Sequence, residues 1–122
     1  MRAVVFVTDD EQAIRAAIVK RLTRQGHRAV GYESGEALLE ALRHELPDLV
    51  LLDLKMPGLN GLDTLKNLRQ LAPSAMVIML TAYGTVQDAV EAMKLGAYDF
   101  LIKSVDLEGI DPVVARVLDV VS

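Results

Sequence analysis

Five short apolar segments recur along the chain, and three of them are apolar without alternation. The strings AVVFV, LVLL and MVIML contain no charged residue, which is typical of strands that helices cover on both faces of a sheet. The predicted strands are residues 3–8, 28–32, 48–53, 75–81 and 98–103. This pattern predicts a parallel central sheet.

The segments between the predicted strands carry apolar residues at helical spacing. Residues three or four positions apart lie on one side of a helix, so we expect each such stripe to face the core. The stripes are Ile14, Ile18 and Leu22; Ala37, Leu38, Ala41 and Leu42; and Val86, Ala89, Val90 and Met93.

Two helix starts are marked in the sequence. Thr85 and Asp88 have the spacing of a capping box. Asp111 and Pro112 fit the N-cap and the first position of a last helix that runs to about Val121. The chain is therefore predicted to consist of five strand–helix units.

Strict alternation of strands and helices predicts an α/β fold, because strand–helix–strand crossovers are almost always right-handed. The economical form is a flavodoxin-like, doubly wound (βα)5 domain with five parallel strands in the order 2-1-3-4-5 and helices on both faces. The length of 122 residues fits one domain spanning residues 1–122. Ligands of such sheets bind outside the carboxyl ends of strands 1 and 3, at the switch point where the strand order reverses.

The composition limits the kinds of chemistry and binding that the protein can carry out. There is no cysteine, which excludes disulfides and thiol chemistry. The net charge of −4 and the even spread of charge give no sign of direct nucleic-acid binding. Five basic residues that lie close in sequence are interpreted as a solvated helix face. They are Arg15, Lys20, Arg21, Arg24 and Arg28.

No apolar run approaches the roughly 20 residues that a membrane helix needs, so no membrane span is predicted. Arg2 is followed by five apolar residues and then by Asp9 and Asp10. This start lacks the apolar length and the cleavage site of a signal peptide. We therefore expect a cytoplasmic protein.

Carboxylates gather at the predicted switch point of the sheet. Asp9, Asp10 and Glu11 follow strand 1, and Asp53 ends strand 3. Two carboxylates about 4 Å apart repel by about 4 kcal/mol at an effective dielectric constant of about 20, so such a cluster needs protonation or a counter-ion. Oxygen ligands favour Mg²⁺. The aspartate pair by itself is more typical of the start of a helix than of a metal site.

Thr81 and Lys103 bring a hydroxyl and an ammonium to the same edge of the sheet. Each alone is typical of a turn residue or a solvated charge. Together with the carboxylates they suit phosphoryl transfer to Asp53, with a cation and these two side chains contacting the phosphoryl oxygens.

At this point a family resemblance is evident. The strings VFVTDDE, LVLLDLKMPGLNG, VIMLTAYG and GAYDFLIK resemble, in order and spacing, the receiver domain of two-component response regulators. The resemblance implies a phosphoacceptor at Asp53 and a Mg²⁺ site of Asp9, Asp10, Asp53 and the Lys55 carbonyl. It further implies phosphate contacts from Thr81 and Lys103 and a switch aromatic at Phe100.

The resemblance also implies partners. The phosphoryl donor would be a histidine kinase or a phosphotransfer protein, and the domain would promote its own phosphorylation and dephosphorylation without being a classical enzyme. Phosphorylation would change a face formed by the fourth helix, the fifth strand and the fifth helix, through which an effector is regulated or a homodimer forms. The string TAYGTVQDAVEAMKLGAYDFL resembles receivers of ATPase-type transcriptional activators. We expect any effector to lie beyond Ser122.

One position departs from the family pattern. Ser104 follows Lys103 where the family usually has proline after a cis peptide bond. A cis bond before a residue other than proline costs about 2.5 to 4 kcal/mol, so either this bond is cis at that cost or it is trans and Lys103 is re-aimed. Whether Ser104 is a natural residue or an introduced change stays open.

Two alternative functions stay open on the sequence alone. The Ser104 departure supports a receiver-like module that no longer switches and serves only as an interaction surface. A flavin- or nucleotide-binding flavodoxin-like domain would need a Ser-, Thr- or Gly-rich phosphate loop after strand 1. Asp9, Asp10 and Glu11 stand there instead and would repel a phosphate.

Overall fold

A computed structural model describes residues 2–82, 84–103 and 107–121. The strands are β1 (Val4–Thr8), β2 (Arg28–Tyr32), β3 (Leu49–Asp53), β4 (Met76–Thr81) and β5 (Asp99–Ile102). The helices are α1 (Gln12–Arg24), α2 (Gly35–Ala41), α3 (Gly61–Leu71), α4 (Val86–Lys94) and α5 (Asp111–Val121), with a 3-10 turn over Leu107–Ile110.

The five strands form one parallel sheet in the order β2-β1-β3-β4-β5. This order confirms the prediction, and each strand lies within one residue of its predicted bounds. Strands β1 and β3 are neighbours, with Thr8 opposite Leu52. Their carboxyl ends therefore meet at one edge of the sheet, which is the predicted switch point.

A hydrophobic core lies on each side of the sheet. Phe6, Leu52 and Leu65 belong to the core beneath α2, α3 and α4. Val7 and Val117 belong to the core beneath α1 and α5. All five residues of β3 are buried, as expected for a strand that helices cover on both faces of the sheet.

The predicted helix starts are close to those observed. Thr85 and Asp88 form the capping box: the Asp88 N–H donates to Thr85 Oγ1 at 3.0 Å, and the Thr85 N–H donates to Asp88 Oδ2 at 3.2 Å. Helix α5 begins at Asp111 itself, one residue earlier than predicted, because the 3-10 turn runs directly into it. The Asp111 carboxylate accepts two hydrogen bonds from Arg21, at 2.9 and 2.6 Å, and so ties α5 to α1.

The prediction that the apolar stripe of α4 faces the core is wrong. Val86 is 83% exposed, and Val90 and Met93 are each 47% exposed. The helix is buried instead through Ala92, with Leu95 packed beside it. Apolar residues occupy more than one side of this helix, and periodicity cannot tell which side meets the sheet.

Within the ranges that the structure describes, none of the helices has the length and apolar character needed to cross a membrane.

Candidate functional site

Three carboxylates meet at the carboxyl ends of β1 and β3. Asp9 follows β1, and Asp53 is the last residue of β3. One oxygen from each of Asp9, Asp10 and Asp53 lies within 4.8 Å of the others. Asp9 and Asp53 are 2% and 4% exposed, whereas Asp10 is exposed. The cluster is therefore a buried acidic site that opens to solvent at Asp10.

Asp9 is held through both its backbone and its side chain. Its N–H donates to the Tyr32 carbonyl at 3.1 Å, and its carbonyl accepts from Arg15 Nη1 at 2.8 Å. Oδ1 accepts from the Glu11 N–H at 2.9 Å, and Lys103 Nζ lies 2.5 Å from Oδ2. Every polar group of Asp9 therefore has a partner, and its orientation is fixed.

Lys103 points into the cluster. Its ammonium also lies 3.5 Å from Asp53 Oδ2, and its side chain is 6% exposed. Burial by itself would lower the pKa of Lys103, but the hydrogen bond with Asp9 and the charges of Asp53 and Asp9 raise it above its usual value. The ammonium therefore stays charged. Ser104, and with it the Lys103–Ser104 bond, lies outside the described residues.

Asp53 is poorly compensated for a buried carboxylate. Burial raises its pKa to about 7, and the neighbouring charge of Asp9 contributes to the rise. Lys103 and the Lys55 N–H, which is 3.3 Å from Asp53 Oδ1, oppose the rise without cancelling it. Among the residues that the structure describes, three carboxylates thus share one ammonium. The resulting deficit of positive charge at a site of oxygen ligands fits a hard divalent cation.

The loop after β3 approaches the site closely. The Lys55 side chain is exposed, and its N–H faces Asp53. The Gly61 N–H donates to the Leu54 carbonyl at 2.9 Å, and a Cβ at position 61 would collide with the backbone of Asp53. Glycine at 61 therefore lets α3 start directly beneath the end of β3.

Thr81 and Phe100 lie on neighbouring strands beside the cluster. Leu80 is the register partner of Asp53, so Thr81, 1% exposed, lies one residue further toward the carboxyl edge. Phe100 is half-buried. A Cβ at Gly84 would lie 2.7 Å from Phe100 Cε1 and Cζ and 3.0 Å from Thr81 Cγ2. The ring and the threonine methyl therefore flank the same bare stretch of backbone.

The structure brings Asp9, Asp10, Asp53 and Lys103 together as the sequence predicts, and it places Thr81 at the same edge. The interpretation of the five basic residues as a solvated helix face is partly wrong. Arg15 binds the Asp9 carbonyl, and Arg21 pairs with α5. The sequence carries no signal for these contacts beyond the positions of the arginines on one helix.

Fold and site together define a flavodoxin-like α/β domain with an acidic centre at the carboxyl ends of β1 and β3, whose three carboxylates could hold a metal ion. Comparison with known proteins gives the family. The sequence pattern of the response regulator receiver domain matches residues 5–115, and the chain belongs to this family. The family and fold predictions are thereby confirmed.

Three similar proteins illustrate the relationship. The DNA-binding transcriptional regulator NtrC of Escherichia coli (strain K12) is 37% identical over 117 residues, which is 96% of this chain and 25% of NtrC. NtrX from Brucella abortus superposes with a TM-score of 0.91 at 32% identity, over 98% of this chain and 28% of NtrX. The chain thus spans about a quarter of the length of these relatives.

A third protein bears on the site. A response regulator protein from Burkholderia pseudomallei, solved with a phosphorylated aspartic acid, a calcium ion and citrate, has a TM-score of 0.82 at 27% identity, over 88% of this chain and 63% of that one. The Asp9, Asp10 and Asp53 cluster fits a phosphorylation site of this kind.

Proposed function

We propose that Asp53 is the phosphoacceptor of this receiver domain. The observation that carries the proposal is the difference between the two buried carboxylates. Both oxygens of Asp9 are engaged at 2.9 Å or less, by the Glu11 N–H and by Lys103. The contacts of Asp53, with the Lys55 N–H and with Lys103, are longer, at 3.3 and 3.5 Å. Asp53 is therefore the better placed nucleophile.

We further propose that Asp9, Asp10 and Asp53, with the Lys55 carbonyl, hold Mg²⁺. The cation would offset the charge of the phosphoryl oxygens. Asp53 attacks the phosphorus with one carboxylate oxygen, and the bond from phosphorus to the leaving group breaks. Lys103, already 3.5 Å from Asp53, would bind one phosphoryl oxygen, and Thr81 would bind another. These contacts would let the domain promote both its own phosphorylation and its dephosphorylation.

Intact mass spectrometry after incubation with acetyl phosphate tests both assignments. We expect one added phosphoryl group in the presence of Mg²⁺ and none in chelator. Asp53→Asn should abolish labelling, whereas Asp63→Asn, which changes an exposed carboxylate on α3, should not. Labelling of Asp53→Asn would overturn the assignment of the nucleophile, and labelling in chelator would overturn the role of the cation.

Phosphorylation would act on the face formed by α4, β5 and α5. The Phe100 ring and the Thr81 methyl group both border the space beside Gly84. A Thr81 side chain drawn toward a phosphate would therefore leave room for the ring to turn inward. The apolar stripe of α4 and Ile102, which is 56% exposed, provide a surface that a partner or a second copy could cover. Sedimentation with and without phosphorylation would test dimer formation.

The partners follow from the family. We propose a histidine kinase or a phosphotransfer protein as phosphoryl donor and a covalently attached or separate effector as target. The similarity to NtrC, whose name describes a DNA-binding transcriptional regulator, supports an effector that controls transcription. We propose a cytoplasmic location, where such a kinase would act. The boundary of the domain at Ser122 stays a prediction.

A non-switching interaction module is the second candidate function, and Ser104 is its support. The same mass measurement separates the two, since such a module would remain unlabelled under conditions that phosphorylate an active receiver.

A further inference from the structure

Arg15 lies near the start of α1, and its side chain turns back toward the acidic cluster. Arg15 Nη1 donates to the Asp9 carbonyl at 2.8 Å. To reach it, the arginine stem crosses β2 at Gly31. A Cβ at position 31 would lie 2.9 Å from Arg15 Cγ and 3.1 Å from Cδ. The path of this side chain therefore depends on a glycine in the neighbouring strand.

The carbonyl that Arg15 binds belongs to the peptide group between Asp9 and Asp10. A peptide group is planar, so the direction of the Asp9 carbonyl also fixes the positions of the Asp10 nitrogen and Cα. The remaining polar groups of Asp9 are held by other residues, as described above. Asp10 itself is exposed. The Arg15 contact thus restrains the backbone atoms from which the Asp10 side chain extends.

We propose that Arg15 is a positioning residue for the divalent-cation site. By holding the Asp9 carbonyl, it places the Asp10 carboxylate where it shares a cation with Asp9 and Asp53. The inference rests on the cation site proposed above. Gly31 takes part in the same arrangement, because its lack of a side chain leaves the path for the arginine stem.

The direction in which cation affinity changes when the Arg15 guanidinium is removed distinguishes a positioning role from a purely electrostatic one. The guanidinium is a positive charge close to a cation site, so Coulomb repulsion alone predicts that its removal tightens cation binding. Positioning predicts the opposite, because the cluster loses its geometry. A single affinity measurement therefore distinguishes the two.

The test is isothermal titration calorimetry with Mg²⁺ on the full chain, well below the melting temperature of every variant. Arg15→Met removes the donor and the charge but keeps an apolar stem. We expect about tenfold weaker binding, the lower end of the effect of removing a group that orients a metal ligand. Arg15→Lys retains the charge and one donating group, and it should recover part of the affinity.

Two further variants serve as matched partners. Gly31→Ala changes no charge but displaces the arginine stem, and it should weaken Mg²⁺ binding in the same direction. Arg24→Met removes a positive charge from the exposed end of the same helix, and it should leave the affinity within about twofold, because distant exposed charges are screened.

Three results would overturn the inference. One is Arg15→Met binding Mg²⁺ as tightly as Arg24→Met, or more tightly. Another is Gly31→Ala matching the unaltered chain, which also decides the matter if Arg15→Met does not fold. The third is an unaltered chain that binds no Mg²⁺, which would remove the proposed cation site and this inference together. If the unaltered chain, Arg15→Met and Gly31→Ala all bind Mg²⁺ equally well, the role of Arg15 is refuted while the proposed cation site stands.

Discussion

Replacing Lys103 with methionine isolates the electrostatics of the acidic site. The ammonium lies 2.5 Å from Asp9 and 3.5 Å from Asp53, and its side chain is 6% exposed. Its removal leaves two buried carboxylates without this partner. Removing one partner of a buried ion pair costs about 3 to 5 kcal/mol. Because the cluster opens to solvent at Asp10, we expect the lower end, about 3 kcal/mol of the free energy of unfolding.

The loss should depend on the divalent cation. In chelator the full cost should appear, whereas saturating Mg²⁺ would neutralise the stranded carboxylates and reduce the loss. Urea unfolding with and without Mg²⁺ measures both values. Adding Asp53→Asn to Lys103→Met should recover part of the stability in chelator, because it removes one of the two stranded charges.

Lys20→Met is the matched control, because Lys20 is exposed on α1. It should change the free energy of unfolding by no more than about 0.5 kcal/mol. If Lys103→Met unfolds at the same urea concentration as Lys20→Met, the reasoning is refuted. Lys103 would then be the solvated charge that a lone lysine usually is.

Three further outcomes follow from the structure. Asp10→Ala should weaken Mg²⁺ binding in calorimetry and raise the metal-free stability by up to about 1 kcal/mol, since it relieves repulsion. Burial lowers the pKa of His27, and its Nδ1 accepts the Ala3 N–H at 3.2 Å. The contribution of neutral His27 to the free energy of unfolding should be complete above about pH 6.5 and should be lost as the pH falls through the lowered pKa. In urea titrations, the free energy of unfolding of His27→Asn should depend less on pH than that of the unaltered chain. Gly84→Ala should cost about 1 to 2 kcal/mol, and less when Phe100→Leu removes the ring that it meets.

Much of the fold could be predicted because its strands carry an unambiguous pattern. The segments LVLL and MVIML are uncharged and short, which is typical of strands in a parallel sheet that helices cover on both faces. The carboxyl ends of parallel strands meet at one edge, so Asp9, Asp53 and Lys103 could be placed together without any knowledge of distances. Element order and chemistry at strand ends were sufficient for this part of the site.

The orientation of α4 could not be predicted in the same way. Val86, Val90 and Met93 form a regular stripe, yet the helix packs through Ala92 and Leu95. The choice between two apolar sides depends on how α4 packs against β5 and α3, which is a property of tertiary packing. The larger apolar side chains point outward, where a partner surface would need them.

The roles of three glycines around the site also could not be predicted from the sequence. Gly31 lies against Arg15, Gly61 against the Asp53 backbone, and Gly84 against Phe100. None of these three glycines has the left-handed backbone conformation that usually explains a glycine. Each is required for space, because a neighbouring element passes where a Cβ would be. Since sequence patterns interpret glycine through turns and helix ends, the close approaches that shape this site become visible only when the elements are packed together.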